Sequence, residues 1–372
     1  MDVWRNDAEK GEYIMYVIIS IIFLLITPRA FASPAISSYS GTMVSGQTVS
    51  VNGSGFGTHP LQVEFNGENI EAGANGASFS KSGWITGWGW ADPIYSTDAA
   101  HSGSKSLKCT VNSSNYNCAF AYDMPNVLAG QSLYLTWWVR YSGGTGGQWK
   151  MLRLSGNQTI VDGAQELVFF NWLTSTPQIV IDPATANDQT RWIANELFPA
   201  GDANWYRMEV DLKAGSQGSG NGTLVVTRTT STGTITSSTV ATNFNTHPSS
   251  GNNYGYAIWQ NYCGNGITSA NIWFDDMYIQ YNTKARVEIC SGGTWANRGV
   301  CEIQTPTNWS ASSANIKINR GSFGAAASAN LYVVDSTGSA NSNGYAITFG
   351  GSGGGGDPEP LVPSAPTNLS IN

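Results

Sequence analysis

Charged residues are scarce in this sequence, and the scarcity narrows the classes of protein it can represent. Only 12% of the 372 residues are Asp, Glu, Lys or Arg, against about 25% in a typical soluble domain. The formal net charge is −7, and no cluster of Lys and Arg forms a basic stripe that would neutralise phosphates. We therefore expect no nucleic-acid partner. The surface should consist mainly of Ser, Thr, Asn and Gly, which suits an extracellular β-protein better than a cytosolic enzyme.

Helical periodicity is also missing. After residue 33, no stretch of ten or more residues repeats its apolar positions every 3.6 residues, and the apolar segments are short alternating runs bounded by Gly, Asn, Ser or Pro. This pattern predicts β-strands. The clearest runs are residues 133–141, 148–155, 166–173, 177–182, 204–213, 222–230, 254–262 and 271–281. About a dozen strands are too many for one immunoglobulin sandwich and fit a large two-sheet jelly roll, so the predicted fold class is all-β.

The sequence contains one long hydrophobic run. "IMYVIISIIFLLI" at 14–26 is shorter than the roughly 20 residues that a spanning helix needs. Small residues at Ala30 and Ala32 fit a cleavage site before Ser33, so we interpret residues 1–32 as a secretory signal peptide, with an uncleaved anchor as the alternative. The expected location is extracellular or the cell surface, with no membrane span after removal of the signal.

Cysteine is sparse, with five residues in the chain. Cys109 and Cys118 bracket one polar turn, and Cys290 and Cys301 bracket another, so each pair is predicted to form a disulfide in an oxidising compartment. Cys263 is left over. None of the spacings matches a zinc or redox motif.

Both ends of the chain resemble one small domain. "TVSVNGSGFG" at 48–57 resembles the opening of an IPT/TIG immunoglobulin-like domain, and "ANLYVVDSTGSANSNGYAITFG" at 329–350 resembles its closing strands. The resemblance implies a split immunoglobulin-like β-sandwich built from residues 33–66 plus 284–350. Such a split is possible because an inserted domain whose termini lie together can replace a surface loop. Residues 351–372 read as a flexible Gly/Pro linker and the possible start of a truncated fibronectin type III domain.

The middle of the chain resembles a second group. "AHSGSKSLKC", "LYLTWWVRY", "WYRMEVDLK" and "IWFDDMYI" are similar to motifs of the concanavalin A-like, LamG and polysaccharide-lyase type of jelly roll. The resemblance covers residues 67–283 and implies the fold more specifically than any activity.

This resemblance raises two kinds of catalytic site. Glycosidases of this general fold use a Glu-x-Asp-x-x-Glu strand; here Glu209 and Asp211 match, but Ala214 stands at the position of the second Glu. We therefore expect this pair to lie on a solvated outer strand. A lyase instead needs a Tyr or His base and an Arg, Gln or Asn that neutralises the substrate carboxylate. The residues available for a lyase are Tyr256, Arg153, Gln178 and Gln260, although the His of the lyases' Gln-Ile-His strand is replaced by Val180.

Tryptophan is plentiful, with 14 residues. Aromatic rings stack on the apolar faces of sugars, so candidate ligand-binding residues are Trp84, Trp88, Trp90 and Tyr262, with inter-sheet packing as the alternative for the tryptophans. A second set is predicted to fill the core: Trp137, Trp172, Trp205, Trp259 and Trp273.

A structural calcium ion is the one cofactor that the resemblance implies. Similar jelly rolls often bind Ca²⁺ between the closing strand and the segment that enters the domain. Asp275 and Asp276 should point to opposite faces of that strand, and Asp276 could bind the ion with Glu71 and Asn69, since Ca²⁺ prefers oxygen ligands.

The sequence thus favours a secreted or cell-surface, non-catalytic module that binds a polysaccharide or cell-surface glycan, or mediates adhesion, through its jelly roll. A polysaccharide lyase acting by β-elimination on a uronate polymer is the alternative. A purely structural surface protein is the third hypothesis.

Overall fold

The structure, a computed structural model, describes residues 33–87, 91–112, 118–127, 130–143, 148–155, 166–173, 176–182, 189–192, 201–216, 219–244, 254–264 and 269–353. The predicted signal peptide, most of the predicted C-terminal linker and Trp88 and Trp90 lie outside these residues. No helix in the described ranges has the length and apolar character needed to cross a membrane.

Strands dominate all three parts of the chain. The first part contains β1 (Ala35–Thr42), β2 (Thr48–Ser54), β3 (Val63–Phe65) and helix α1 (Gly67–Ala72). The middle part contains β4 (Trp84–Ile85), β5 (Ile94–Ser96), β6 (Ser106–Asn112), β7 (Phe120–Val127), β8 (Ser132–Gly143), β9 (Gln148–Ser155), β10 (Glu166–Leu173), β11 (Thr176–Asp182), β12 (Gln189–Trp192), β13 (Asp202–Lys213), β14 (Gly222–Thr230), β15 (Ile235–Phe244), β16 (Tyr254–Gly264) and β17 (Ser269–Tyr281). The last part contains β18 (Arg286–Cys290), β19 (Cys301–Trp309), β20 (Ser313–Lys317), β21 (Ser328–Val334), β22 (Tyr345–Thr348) and β23 (Ser352–Gly353), with a 3-10 turn at Trp295–Asn297.

The middle part forms a two-sheet sandwich. One sheet has seven strands in the order β12-β11-β10-β9-β16-β7-β4, and the other has the order β15-β14-β13-β8-β17-β6-β5, with β3 added beside β17 to make eight. The strand pairs of both sheets are antiparallel. This confirms the all-β fold class, with a large two-sheet jelly roll.

The core of the jelly roll follows from strand alternation. On β13, Met208, Val210 and Leu212 enter the core, while the residues between them face outward. Trp137 of β8 and Trp259 of β16 are fully buried and meet edge to face across the two sheets, with ring centroids 6.1 Å apart. Large aromatic surfaces of this kind supply much of the hydrophobic stabilisation of a sandwich.

Two of the predicted core tryptophans lie elsewhere, and a third is not described. Trp273 is buried but packs outside the core, where the guanidinium of Arg140 lies 5.2 Å from its ring. Trp205 is partly exposed and contacts the ring of His101. The prediction was therefore right for Trp137 and Trp259 and wrong for these two, because a tryptophan on an outward position can be covered by another layer. The side chain of Trp172 lies outside the described part.

The two ends of the chain share a third sheet, with the order β22-β21-β18-β19-β20-β2-β1-β23. Strand β19 pairs with β18 through its first half and with β20 through its second half, so the sheet folds over a core of its own. That core includes Val49 and Val51 of β2, Ile289 of β18 and Leu331 of β21. Its assignment to an IPT/TIG domain stays a prediction.

The third sheet covers the outward face of the eight-stranded sheet of the jelly roll. Tyr134 of β8, Tyr278 of β17 and Ile303 of β19 form a buried apolar cluster between them. All of the described strands belong to one compact unit that begins at Pro34. We call the contact surface between the two layers the junction.

Both predicted disulfides are confirmed. Cys109 is bonded to Cys118, and Cys290 to Cys301. The second bond joins paired residues of neighbouring strands β18 and β19. The side chain of Cys263 lies outside the described part.

Candidate functional site

The outward face of the seven-stranded sheet carries the residues predicted for a lyase. Tyr256 of β16 lies opposite Ser155 of β9 and Asp123 of β7. Two residues further along β16, Ile258 lies opposite Arg153 of β9. Residues two apart on a strand share a face, so the sheet brings Tyr256 and Arg153 together in adjacent rows across the neighbouring strands β9, β16 and β7.

An apolar floor supports these polar groups. Ala121, Tyr256 and Ile258 pack together in a small cluster apart from the inter-sheet core. Arg153 is only 6% exposed, while Asp123 is exposed. A cation, a phenol and a carboxylate thus surround a small apolar patch, a combination typical of sites that bind polar organic ligands.

The protonation state of Tyr256 limits its chemistry. Burial, and secondarily the negative charge of Asp123, raises the pKa of the Tyr256 hydroxyl above its usual value of 10.0. The phenol therefore stays protonated at neutral pH. It can donate a hydrogen bond or a proton, but it is a poor resting base for removing the C5 proton of a uronate.

The remaining lyase candidates can be placed only by backbone register. Gln178 of β11 pairs with Asn171, Asn171 with Lys150, and Lys150 with Tyr262 of β16. Gln178 and Tyr262 therefore belong to one row across four strands. Gln260 is on the same strand as Tyr256, and the side chains of Gln178, Gln260 and Tyr262 lie outside the described part.

Trp84 does not have the exposed ring that was predicted for sugar binding. It is 9% exposed and packs in the inter-sheet core, with its ring centroid 5.5 Å from that of Trp259. Its indole Nε1 donates a hydrogen bond to Glu64. The short strand β4 pairs with β7 at the sheet edge and directs the ring inward.

The Glu209 and Asp211 pair is also placed differently from the prediction. Glu209 is 4% exposed and lies in the junction, where its carboxylate accepts a hydrogen bond of 2.6 Å from the Tyr134 hydroxyl. Asp211 forms an ion pair with Lys284 at 2.8 Å. The expectation of a solvated strand was wrong for Glu209, because the third sheet covers this face.

A second cluster of chemically capable residues lies in the junction, around a bulge in β17. The pairing of β17 with β8 shifts between Asp275 and Tyr278, and Asp276 has the left-handed φ of 46°. Asn66 holds the bulge, since its Oδ1 accepts a hydrogen bond from the backbone N–H of Met277.

The bulge directs both aspartates to the loop before β6. Asp275 Oδ2 accepts backbone hydrogen bonds from His101 and Ser102, and one oxygen of Asp276 lies in a group of ligand atoms from His101, Asp276 and Glu302 that are all within 4.8 Å of one another. The prediction that the two side chains point to opposite faces was therefore wrong, because it assumed regular alternation.

Burial and like charge dominate the electrostatics of this cluster. Burial, and then the neighbouring Asp276, raises the pKa of Asp275 well above its usual range. Burial, and then Glu302, raises the pKa of Asp276 to about 7. Burial also opposes the charge of Glu302, but the attraction of His101 and hydrogen bonds from Ser322 outweigh it and keep its pKa below the usual value.

The residues predicted to hold calcium with Asp276 are engaged elsewhere. Asn69 Oδ1 accepts a hydrogen bond from the Tyr95 hydroxyl. The carboxylate of Glu71 accepts hydrogen bonds from the backbone N–H groups of Ser104 and Lys105. Calcium binding here stays a prediction.

A cleft of about 610 Å³ gives access to Asp276. Its jelly-roll wall includes Glu71, Ser102 and Gly103, and its other wall includes Asn319 and Arg320 from the segment after β20. The cleft therefore opens along the junction.

Sequence reasoning missed His101 and Glu302. The two residues are 201 positions apart, yet their side chains are 2.8 Å apart, from His101 Nε2 to Glu302 Oε1. No local spacing signals such a contact, since it depends on how the third sheet packs on the jelly roll.

No known protein family and no characterised protein matches the chain in sequence. Solved structures with similar β-sandwich folds include a marine PL-14 alginate lyase from Aplysia kurodai, which is 12% identical over 50% of this chain and 86% of its own, with a TM-score of 0.39. Cellulose induced protein Cip1 is 17% identical over 54% of this chain and 92% of its own, with a TM-score of 0.37. The carbohydrate esterase vb_24B_21 of the Shiga toxin-encoding bacteriophage phi24B is 16% identical over 60% of this chain and 98% of its own, with a TM-score of 0.37.

Proposed function

We propose that the chain binds an acidic polysaccharide through the outward face of the seven-stranded sheet, without cleaving it. The observation that carries the proposal is the placement of Arg153 and Tyr256 in adjacent rows around the apolar patch formed with Ile258. A guanidinium suits the carboxylate of a uronate because its planar fork matches the two carboxylate oxygens. The ring of Tyr256 offers apolar contact together with a hydroxyl donor.

We favour binding without cleavage over β-elimination for a reason of residue type. Elimination needs a base at the C5 proton, and the His of the lyases' Gln-Ile-His strand is replaced here by Val180. Of the histidines that the structure describes, His101 lies in the junction and His59 packs on Trp309 of β19. Neither belongs to the outward face of the seven-stranded sheet.

We further infer an extracellular or cell-surface location. The two disulfides support it, because such bonds persist in oxidising compartments. We also infer that residues 33–66 and 284–350 form a split IPT/TIG immunoglobulin-like domain that carries the jelly roll of residues 67–283 as an insertion. The shared third sheet of β1, β2 and β18–β23 supports this arrangement.

The test is a binding panel with the full chain. Alginate and polygalacturonate represent acidic polysaccharides, and neutral cello-oligosaccharides serve as the control ligand. Absorbance near 235 nm, followed during the same incubation, reports unsaturated ends. We expect binding to the acidic polymers without a rise in absorbance. A rise that Tyr256→Phe abolishes would instead establish a lyase, and no binding to any glycan would favour a structural role.

A further inference from the structure

The junction contains three potential metal ligands from three separate parts of the chain. His101 comes from the loop before β6, Asp276 from the bulge of β17, and Glu302 from β19 of the third sheet. One ligand atom from each lies within 4.8 Å of the other two. The ring of His101 is stacked on Trp138 at 3.6 Å, with an interplanar angle of 15°, which fixes its orientation.

One carboxylate oxygen of Asp276 is unpaired. Asp276 is 3% exposed, and its Oδ2 atom is buried without a hydrogen bond in the described structure. A buried carboxylate oxygen that is left unpaired destabilises the folded protein. By contrast, Glu302 accepts hydrogen bonds from the backbone N–H and hydroxyl of Ser322 and from Trp138. The unpaired Oδ2 atom of Asp276 is therefore available to bind a cation.

We propose that His101, Asp276 and Glu302 bind a divalent transition-metal ion of the zinc type. A zinc ion commonly takes three protein ligands of the His and carboxylate kind and keeps a fourth position open. The ring nitrogen favours zinc over calcium, because calcium takes oxygen ligands almost exclusively. On binding, the ion displaces the proton shared between His101 Nε2 and Glu302 Oε1.

The charges around the three ligands favour a dication. Asp275 is buried behind Asp276, and Glu71 faces the same cleft from the jelly-roll side. Arg320 is the cation that lines this cleft, and Lys317 is paired with Glu68 at its edge. A doubly charged ion would offset this excess of carboxylates within a buried site, where unbalanced charge is costly.

The cleft explains how the ion enters and what completes its coordination. Asp276 and Ser102 line the cleft, so water can supply the fourth ligand from that side. Since two ligands belong to the jelly roll and one to the third sheet, the ion would also tie the two layers together across the junction.

The experiment is isothermal titration of the EDTA-treated full chain with ZnCl₂ and, separately, with CaCl₂. We expect one zinc ion per chain and an affinity weakened by at least about tenfold in His101→Gln. His59→Gln is the matched control, because His59 lies outside the cluster and should leave zinc affinity unchanged. Glu71→Gln tests the calcium ligand set and should have no more than a small effect on zinc.

Two results would overturn the proposal. One is zinc binding that is equally strong in His101→Gln and the wild type. The other is a chain that takes up no zinc, and calcium binding that Glu71→Gln abolishes would then assign the site to calcium. If His101→Gln does not fold, titration of the wild type with CoCl₂ decides the question: visible absorption bands of four-coordinate cobalt are expected, and their absence would contradict a zinc-type site.

Discussion

Arg207 of the jelly roll and Glu288 of the third sheet form an ion pair that is almost wholly buried, with Arg207 Nη1 2.8 Å from Glu288 Oε2. Arg286 approaches the other carboxylate oxygen of Glu288 at 2.6 Å. Burial disfavours the charge of Glu288, but the attraction of Arg207 and Arg286 outweighs it and holds its pKa far below the usual range. The junction is therefore fixed by charge pairing as well as by apolar contact.

Removing the charge of Glu288 should destabilise the protein strongly. We expect Glu288→Gln to lower the free energy of unfolding by about 3–5 kcal/mol, because it leaves two buried guanidinium groups with Glu209 as their remaining nearby counter-charge. Urea denaturation measures the change. Glu68→Gln is the control, since the Glu68–Lys317 pair is exposed and its loss should cost less than about 1 kcal/mol. Equal effects of the two substitutions would contradict a buried junction.

Acid should weaken the fold through His59. Burial, partly offset by a hydrogen bond with Gln280, lowers the pKa of His59 to about 4. Between about pH 6.5 and 4, the unfolded chain binds a proton that the folded chain does not, so stability falls as the pH drops through this window. The loss is about 3 kcal/mol at most. His59→Asn keeps a hydrogen-bond acceptor for the Leu61 N–H and should reduce the difference in unfolding free energy between about pH 7 and pH 4.5. Urea denaturation at the two pH values measures this difference, and the same difference in the variant and the wild type would refute this account.

Trp84 should matter for stability and not for ligand binding. Its ring contacts Phe79, Phe120 and Trp259 in the core, so Trp84→Ala should cost about 3–5 kcal/mol. Trp84→Phe retains most of the packing and should leave polysaccharide affinity at the wild-type value. Loss of binding in Trp84→Phe with normal thermal unfolding would restore the surface role first expected for this residue.

The fold was largely predictable because strand alternation is a local property. Alternation within segments such as 204–213 and 271–281 predicted the strands, and both disulfides followed from local spacing. The errors arose where a second layer covers an outward face. Glu209 was predicted to be solvated and Trp273 to lie in the core. Both predictions failed because alternation shows which residues share a face of a strand but not what packs on that face.

The junction cluster could not be predicted for a related reason. A bulge at Asp276 reverses the side-chain direction that regular alternation assigns, and nothing near Asp276 in the sequence marks it. The contact of His101 with Glu302 joins residues from distant segments, so it emerges only after the third sheet is assembled. Tyr256 and Arg153, in contrast, were predicted from the lyase resemblance, and their strands are neighbours in the sheet.

Titration calorimetry of Asp123→Asn with polygalacturonate tests the central claim most directly. Asp123 is exposed in the row of Tyr256, so removing its charge should leave the fold intact and strengthen binding of a polyanion about fivefold, as expected for one like charge lost at contact distance in water. Asp98→Asn makes the same change in net charge at an exposed site before β6 and should have little effect. Binding that is equally improved by both substitutions, or unchanged by Asp123→Asn, would contradict a polysaccharide site on the outward face of the seven-stranded sheet.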